Sequence, residues 1–178
     1  MHRHTLNVLV QDHPGALHRA VSLLRRRSYN ISSLAVGRSE RDDASRMTLV
    51  VDAADARQVV RQLASLIEVL AVHDVTGSGA VQRETVLARV GAPGDHLAAV
   101  VSLALDFGAR VVDVGDAVAI VELTDVPERV DGFIAHLQPF GIVELRRSGT
   151  LAMTRGGTAD GVPYPQAQAD GSAGEDMQ

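Results

Sequence analysis

Two short stretches carry residue types suited to holding a small charged molecule. The first, Asp12-His13-Pro14-Gly15-Ala16-Leu17, stands where a strand-like run gives way to a helix-like one; the second, Tyr29-Asn30-Ile31, lies beyond that helix. A free amino acid asks three things of such residues. Its carboxylate is stabilised by backbone N–H groups at a helix N-terminus, where the dipole also favours an anion. Its ammonium needs carboxylate, amide or carbonyl oxygens, which Asp12 and Asn30 supply. Gly15 has no side chain, so a ligand can come close to the backbone, and Leu17, Ile31 and Leu34 can wall an apolar pocket. The same residues also fit an account without a ligand, in which Asp12 caps the helix, Pro14 and Gly15 shape the turn and Asn30 opens a strand. Spacing by itself leaves both accounts open and favours the plain turn.

Other reactive residue types are weaker candidates. His2 and His4 could share a metal with His13 or His18, but no further ligands complete a set, so surface or terminal histidines are expected and no metal site is assigned. Gly77-Ser78-Gly79 precedes a strand rather than a helix and lacks the lysine of a phosphate-binding loop, which makes it a linker. The chain has no cysteine, excluding thiolate zinc sites and thiol catalysis and fitting a reducing cytoplasm. No Ser/His/Asp order or carboxylate pair stands in a setting for catalysis, and no catalytic residue is assigned. A formal net charge of -5, with no basic run longer than Arg25-Arg26-Arg27, lacks the footprint of a nucleic-acid binder. The N-terminus alternates polar and apolar residues and breaks at Pro14, so neither a signal peptide nor a membrane span is expected there.

The elements that must position the two stretches follow from periodicity. Leu6, Val8 and Val10 alternate as in a strand. Ala16, Leu17, Ala20, Val21, Leu23 and Leu24 recur at helical spacing, with cations in the last turn. Two strands over 30–37 and 46–52 are joined by a charged loop, a helix runs from Ala56 through Leu66 and Ile67, and a strand covers 69–75. The order is βαββαβ. After residues 76–80 it returns, with strands over 85–90, 109–114, 118–123 and 142–146 and helices over 95–107 and around Val130 to Leu137. This order predicts an α/β (α+β) protein of two tandem ferredoxin-like βαββαβ sandwiches, spanning 1–77 and 81–156. Each sheet should have helices on one face and an open face that invites self-association. An RNA-recognition domain shares the order, but the predicted strands carry no aromatic pair for base stacking. Residues 157–178 are rich in Gly, Ala, Asp, Gln and Ser and are expected to be a disordered tail.

The stretch Leu9-Val10-Gln11-Asp12-His13-Pro14-Gly15-Ala16-Leu17 resembles the opening of an ACT domain, an amino-acid-sensing module of ferredoxin-like fold. Its continuation, Tyr29-Asn30-Ile31-Ser32-Ser33-Leu34-Ala35-Val36-Gly37 and then residues 45–51, is similar more narrowly to the small subunit of acetohydroxyacid synthase, also called acetolactate synthase. The likeness extends through residues 81–84, 109–114 and 140–153 and covers about residues 4 to 156 in order. It departs from the family pattern at Ser32, Arg38 and Gly108. The resemblance implies a regulatory subunit without catalysis of its own. It would stimulate a catalytic large subunit and confer feedback inhibition by valine, or another branched-chain amino acid, in branched-chain amino acid biosynthesis. It implies an effector at the interface of two ACT domains in a homodimer or higher homo-oligomer, with Asp12, Gly15, Ala16, Leu17, Asn30 and Ile31 at the matching positions. No cofactor is implied in this chain; thiamine diphosphate, magnesium and FAD would belong to the large subunit. The expected location is cytoplasmic, with no nucleic-acid or membrane partner. The alternative is a stand-alone ACT-type sensor that regulates a different partner.

Overall fold

In a computed structural model, residues 2–77, 79–94 and 96–155 are described. The predicted tail, 157–178, lies outside the described residues. The first half folds as β1 (His2–Gln11), α1 (Ala16–Arg26), β2 (Asn30–Arg38), β3 (Ala44–Ala53), α2 (Ala56–Ala64) and β4 (Val69–Asp74). The second repeats the order as β5 (Val81–Gly91), α3 (His96–Phe107), β6 (Arg110–Val114), β7 (Val118–Asp125), α4 (Pro127–Leu137) and β8 (Ile142–Arg147). Strand orders β2-β3-β1-β4 and β6-β7-β5-β8 are those of ferredoxin-like sheets, with every pairing antiparallel.

Alternation along the strands places one set of side chains under the helices. In the first unit Leu6, Val8 and Val10 of β1 and Met47, Leu49 and Val51 of β3 are buried against Ala20 and Leu24 of α1 and Val59 and Leu63 of α2. In the second, Val86, Ala88 and Val90 and Ala119, Val121 and Leu123 meet Val100 and Ala104 of α3 and Val130, Phe133 and Leu137 of α4. Both cores are mainly aliphatic. Among the described residues, no helix is long and apolar enough to cross a membrane.

Three local features differ from the sequence-based expectation. The helical spacing that runs on to Ile67 is not followed: α2 ends at Ala64, where Ser65 donates from both its N–H and its hydroxyl to Gln62 O, and Ile67 is left 82% exposed in the turn. His4 is not a surface histidine. It shares the helix-covered side of β1 with Leu6, and both ring nitrogens are buried without a hydrogen-bond partner among the described residues. A buried ring nitrogen without a partner costs on the order of 1–3 kcal/mol. His4→Leu is therefore expected to stabilise the chain by about 1 kcal/mol in urea unfolding; a lower midpoint for the variant would show that the ring has a role this packing does not reveal.

The third difference is a ninth strand, β9 (Leu151–Met153), which pairs with the first residues of β5 in the register Val81↔Met153 to Arg83↔Leu151. The face of the first sheet expected to be open is thereby partly covered. Asn7 Nδ2 donates to Ala152 O at 3.0 Å, while Asn7 Oδ1 accepts from Thr48 Oγ1 at 3.1 Å, so a buried amide is satisfied from both units. Thr150 N–H donates to Ser33 Oγ at 2.8 Å. The connection from β8 to β9 thus lies against β2.

Candidate functional site

At the end of β1 the chain turns through Asp12 to Gly15 into α1. Gly15 is the N-cap residue, with φ 95° and ψ -13°, a left-handed conformation that glycine adopts without strain. No side chain caps this helix, so the expected capping by Asp12 is not what the turn uses. Asp12 instead donates its backbone N–H to Asp43 O at 2.8 Å, and its exposed carboxylate has no hydrogen bond or ion pair among the described residues. Arg19 N–H to Gly15 O, at 2.9 Å, closes the first turn of α1, and Ala16 N–H is taken by His13 O at 3.3 Å. The N–H groups of Leu17 and His18 are left without an intrahelical acceptor. Space around Gly15 is open: a Cβ there would meet nothing within 4 Å. Free N–H groups, an open approach and an unpaired carboxylate are the groups that a small zwitterion would need at an anchor.

Ala16 is buried and Leu17 is 40% exposed, so Leu17 can present an apolar surface outward. Glu68 and Arg19, which the sequence reading did not select, brace this turn. Glu68, 3% exposed, is ion-paired with Arg19, and Gln11 N–H donates to Glu68 O at 2.8 Å. No local pattern marks Glu68, since its partners lie on β1 and α1.

Asn30 and Ile31 sit elsewhere. Asn30 is in register with Asp52, which is in register with Arg3 near the start of β1; Gln11, at the other end of β1, is opposite Ala44. At about 3.3 Å per residue, the Asp12–Leu17 turn and the Asn30–Ile31 pair are roughly 30 Å apart along the sheet. Within one chain, Leu17, Ile31 and Leu34 therefore do not wall a common pocket. Asn30 Nδ2 donates to Asp52 Oδ2 at 2.8 Å, leaving Asn30 Oδ1 outward, and Ile31 is half-buried against the first core. Together with Val21, Arg25, Ser28 and Tyr29 they border a shallow hollow of about 480 Å³. Ser28, at φ 58°, is a non-glycine residue in the left-handed region and turns the chain from α1 into β2. No group of three or more His, Cys, Asp or Glu residues gathers as metal ligands among the described residues.

A family model described as the small subunit of acetolactate synthase matches residues 83–156, and one described as the AHAS small subunit-like ACT domain matches residues 6–71. A relative from Archaeoglobus fulgidus, described as a "Probable acetolactate synthase small subunit", is 46% identical over 156 residues, covering 86% of this chain and 98% of the relative. The chain belongs to the acetolactate synthase small-subunit family. The acetolactate synthase small subunit of Mycolicibacterium smegmatis is 40% identical over 155 residues, 86% of this chain and 91% of that protein. The crystal structure of the acetolactate synthase small subunit from Thermotoga maritima superimposes with a TM-score of 0.81 at 31% identity, over 88% of this chain and 99% of that one. Membership of a small-subunit family implies a catalytic large subunit as the partner. The first unit is its ACT domain.

Proposed function

We propose that this acetolactate synthase small subunit is a regulatory subunit without catalysis of its own, which stimulates its large subunit and makes it sensitive to valine in branched-chain amino acid biosynthesis. The observation that carries this reading is the separation of the two half-sites. A single small amino acid can touch Gly15 and Asn30 together only if they come from different chains. β2 is an edge strand of the first sheet, and edge strands pair readily with a second copy. Twofold pairing of β2 with its copy is antiparallel, which sets the Asn30 end of one chain beside the other chain's Arg38 end, the end of the sheet where the Gly15 turn lies. Valine would then rest its carboxylate on the N–H groups of Leu17 and His18, its ammonium on Asp12 and the partner's Asn30, and its side chain between Leu17 and the partner's Ile31. A ligand bound in this way favours the dimer arrangement that completes the site, and through it the state of the large subunit.

Thiamine diphosphate, magnesium and FAD are assigned to the large subunit, and the holoenzyme to the cytoplasm. The test is acetolactate production from pyruvate by the large subunit, with and without this chain, across a valine titration. Stimulation that valine suppresses is the expected result; valine binding with no effect on the large subunit would replace this reading with a stand-alone sensor. In the same assay Gly15→Asp sets a carboxylate against the effector's own. It should raise the valine concentration for half-inhibition by roughly tenfold or more relative to Gly15→Asn, which occupies the same left-handed position without charge. Equal curves for the two variants would remove Gly15 from the site.

A further inference from the structure

Between the two units lies a cleft of about 430 Å³, a volume inside the roughly 300–1,000 Å³ of small-molecule pockets. Neither Gly15 nor Asn30 lines it. Its walls are polar and come from both halves of the chain: Arg3, Ser32 and Ser33 from the first sheet, and Gln82, Glu128 and Asp131 from the second unit. Further along, Arg147 is held by both oxygens of Glu84 and by Asp131 Oδ1, which closes the Arg147 and Glu84 groups.

The remaining groups are not closed. Arg3 and Glu128 enter no ion pair among the described residues. Ser33 Oγ accepts the Thr150 N–H at 2.8 Å, which leaves its hydroxyl proton for another acceptor. Asp131 uses Oδ1 on Arg147 at 2.8 Å and keeps Oδ2. Glu128 stands in the first turn of α4. The first-unit wall therefore offers a guanidinium and a hydroxyl donor, and the second-unit wall offers carboxylate acceptors. A simple anion would meet Glu128 and Asp131, and a simple cation would meet Arg3. A molecule carrying both charges satisfies both walls. Apolar lining is limited to Leu34, Val50 and Pro127, so a large aliphatic side chain gains little there.

We propose that this inter-unit cleft binds a small polar zwitterion of the α-amino acid class, with its carboxylate on Arg3 and Ser33 and its ammonium on Glu128 and Asp131. The ligand spans the two units, so its occupancy ties them together. The site shares no lining residue with the valine half-sites and does not require a second chain.

The experiment is an amide chemical-shift titration of the full chain with L-serine, L-glutamine and L-glutamate, with the doubly neutral N-acetylserinamide as control. At least one zwitterion should shift the Ser32, Ser33, Gln82 and Thr150 resonances saturably, and the control should not. Arg3→Gln and Glu128→Gln, both at exposed positions, should each weaken that binding by roughly tenfold or more. Gly15→Asp should leave it unchanged. Absence of a saturable shift with all three amino acids, or shifts that ignore both cleft variants, would overturn the proposal. Loss of the shifts in Gly15→Asp would assign them to the valine site instead. Loss of valine inhibition without change at the cleft would concern the Gly15 site alone.

Discussion

Arg147→Ala is expected to lower the free energy of unfolding by about 3 kcal/mol, the low end of what breaking a buried ion pair costs. Arg147 reaches from β8 across β5 to α4. Its Nε and Nη2 bond the two oxygens of Glu84 at 2.7 and 2.8 Å, and its Nη1 bonds Asp131 Oδ1 at 2.8 Å. Glu84 is 4% exposed, so its two oxygens rely on this guanidinium for hydrogen bonds; Arg147 is 37% exposed, which is why the low end of the range applies. Glu84 first, by hydrogen bonding, and then Asp131 hold the Arg147 guanidinium above the ordinary arginine range, so it stays charged wherever the protein is folded. The arginine's removal strands the carboxylate, but replacing both partners does not. Glu84→Leu with Arg147→Leu should recover most of the loss, because two apolar side chains need no mutual charge. Arg46→Ala is the surface control. Arg46 also forks onto a carboxylate, Glu40, at 2.6 and 2.9 Å, and its hydrogen bonding is the main reason Glu40 is lowered to about 2. Both of those side chains are more than a third exposed, so solvent screening leaves a cost under about 1 kcal/mol. Urea unfolding of the four proteins measures the differences. A cost for Arg147→Ala no larger than that for Arg46→Ala would mean that water reaches Glu84 and serves it as well as the arginine does.

The repeated βαββαβ order is written in local periodicity, and each element it predicts is present. Leu6, Val8 and Val10 could be read as one face of a strand, and Ala20 and Leu24 as one face of a helix, because alternation of 2 and 3.6 residues needs no knowledge of the partner. What could not be read depends on distant partners. β9 is three residues long, and its pairing with Val81 to Arg83 joins segments far apart in the chain, so Leu151–Met153 has no local sign of being a strand. Periodicity overran the end of α2 because Leu66 and Ile67 keep the spacing, while Ser65 turns the backbone. Asp12 was the expected cap by residue type; Gly15 took that place because the chain needs φ 95° there, and a left-handed residue sets no side chain over the helix end. The candidate residues were visible as types, but the order in the chain hid that Gly15 and Asn30 stand at opposite ends of a sheet. Only the register shows that the two stretches cannot meet within one chain, which is why the proposed site is divided between two. The Arg3–Glu128 cleft was hidden for the same reason, since its walls come from separate repeats.

Gly149→Ala is expected to release the two units from each other while leaving each one folded. Gly149 has φ 79°, and a Cβ built on it would lie 2.9 Å from Leu34 O and 3.1 Å from Leu34 C and Ser33 Oγ. Left-handed backbone costs a non-glycine residue roughly 1–2 kcal/mol. The steric penalty adds to this, because the first atoms met are backbone of β2 and cannot rotate away. Moving the segment off β2 relieves both, at the expense of the Thr150 N–H bond to Ser33 Oγ and the Asn7 bond to Ala152 O. Neither core contains these groups, so detachment is the cheaper response. Amide hydrogen exchange should report it as faster exchange at Thr150 with unchanged protection along β3 and β7, since exchange rates resolve local opening from global unfolding. Ser33 and Leu34 stand two and three residues beyond Ile31 in β2, so the same contact bears on the proposed Asn30 half-site. If the β8–β9 connection transmits the valine signal into the second unit, Gly149→Ala should still bind valine but inhibit the large subunit less at saturation, a result distinct from the shifted midpoint expected of Gly15→Asp. Unchanged Thr150 exchange would show that β2 yields instead, and full inhibition in spite of faster exchange would place the signal's route outside this connection.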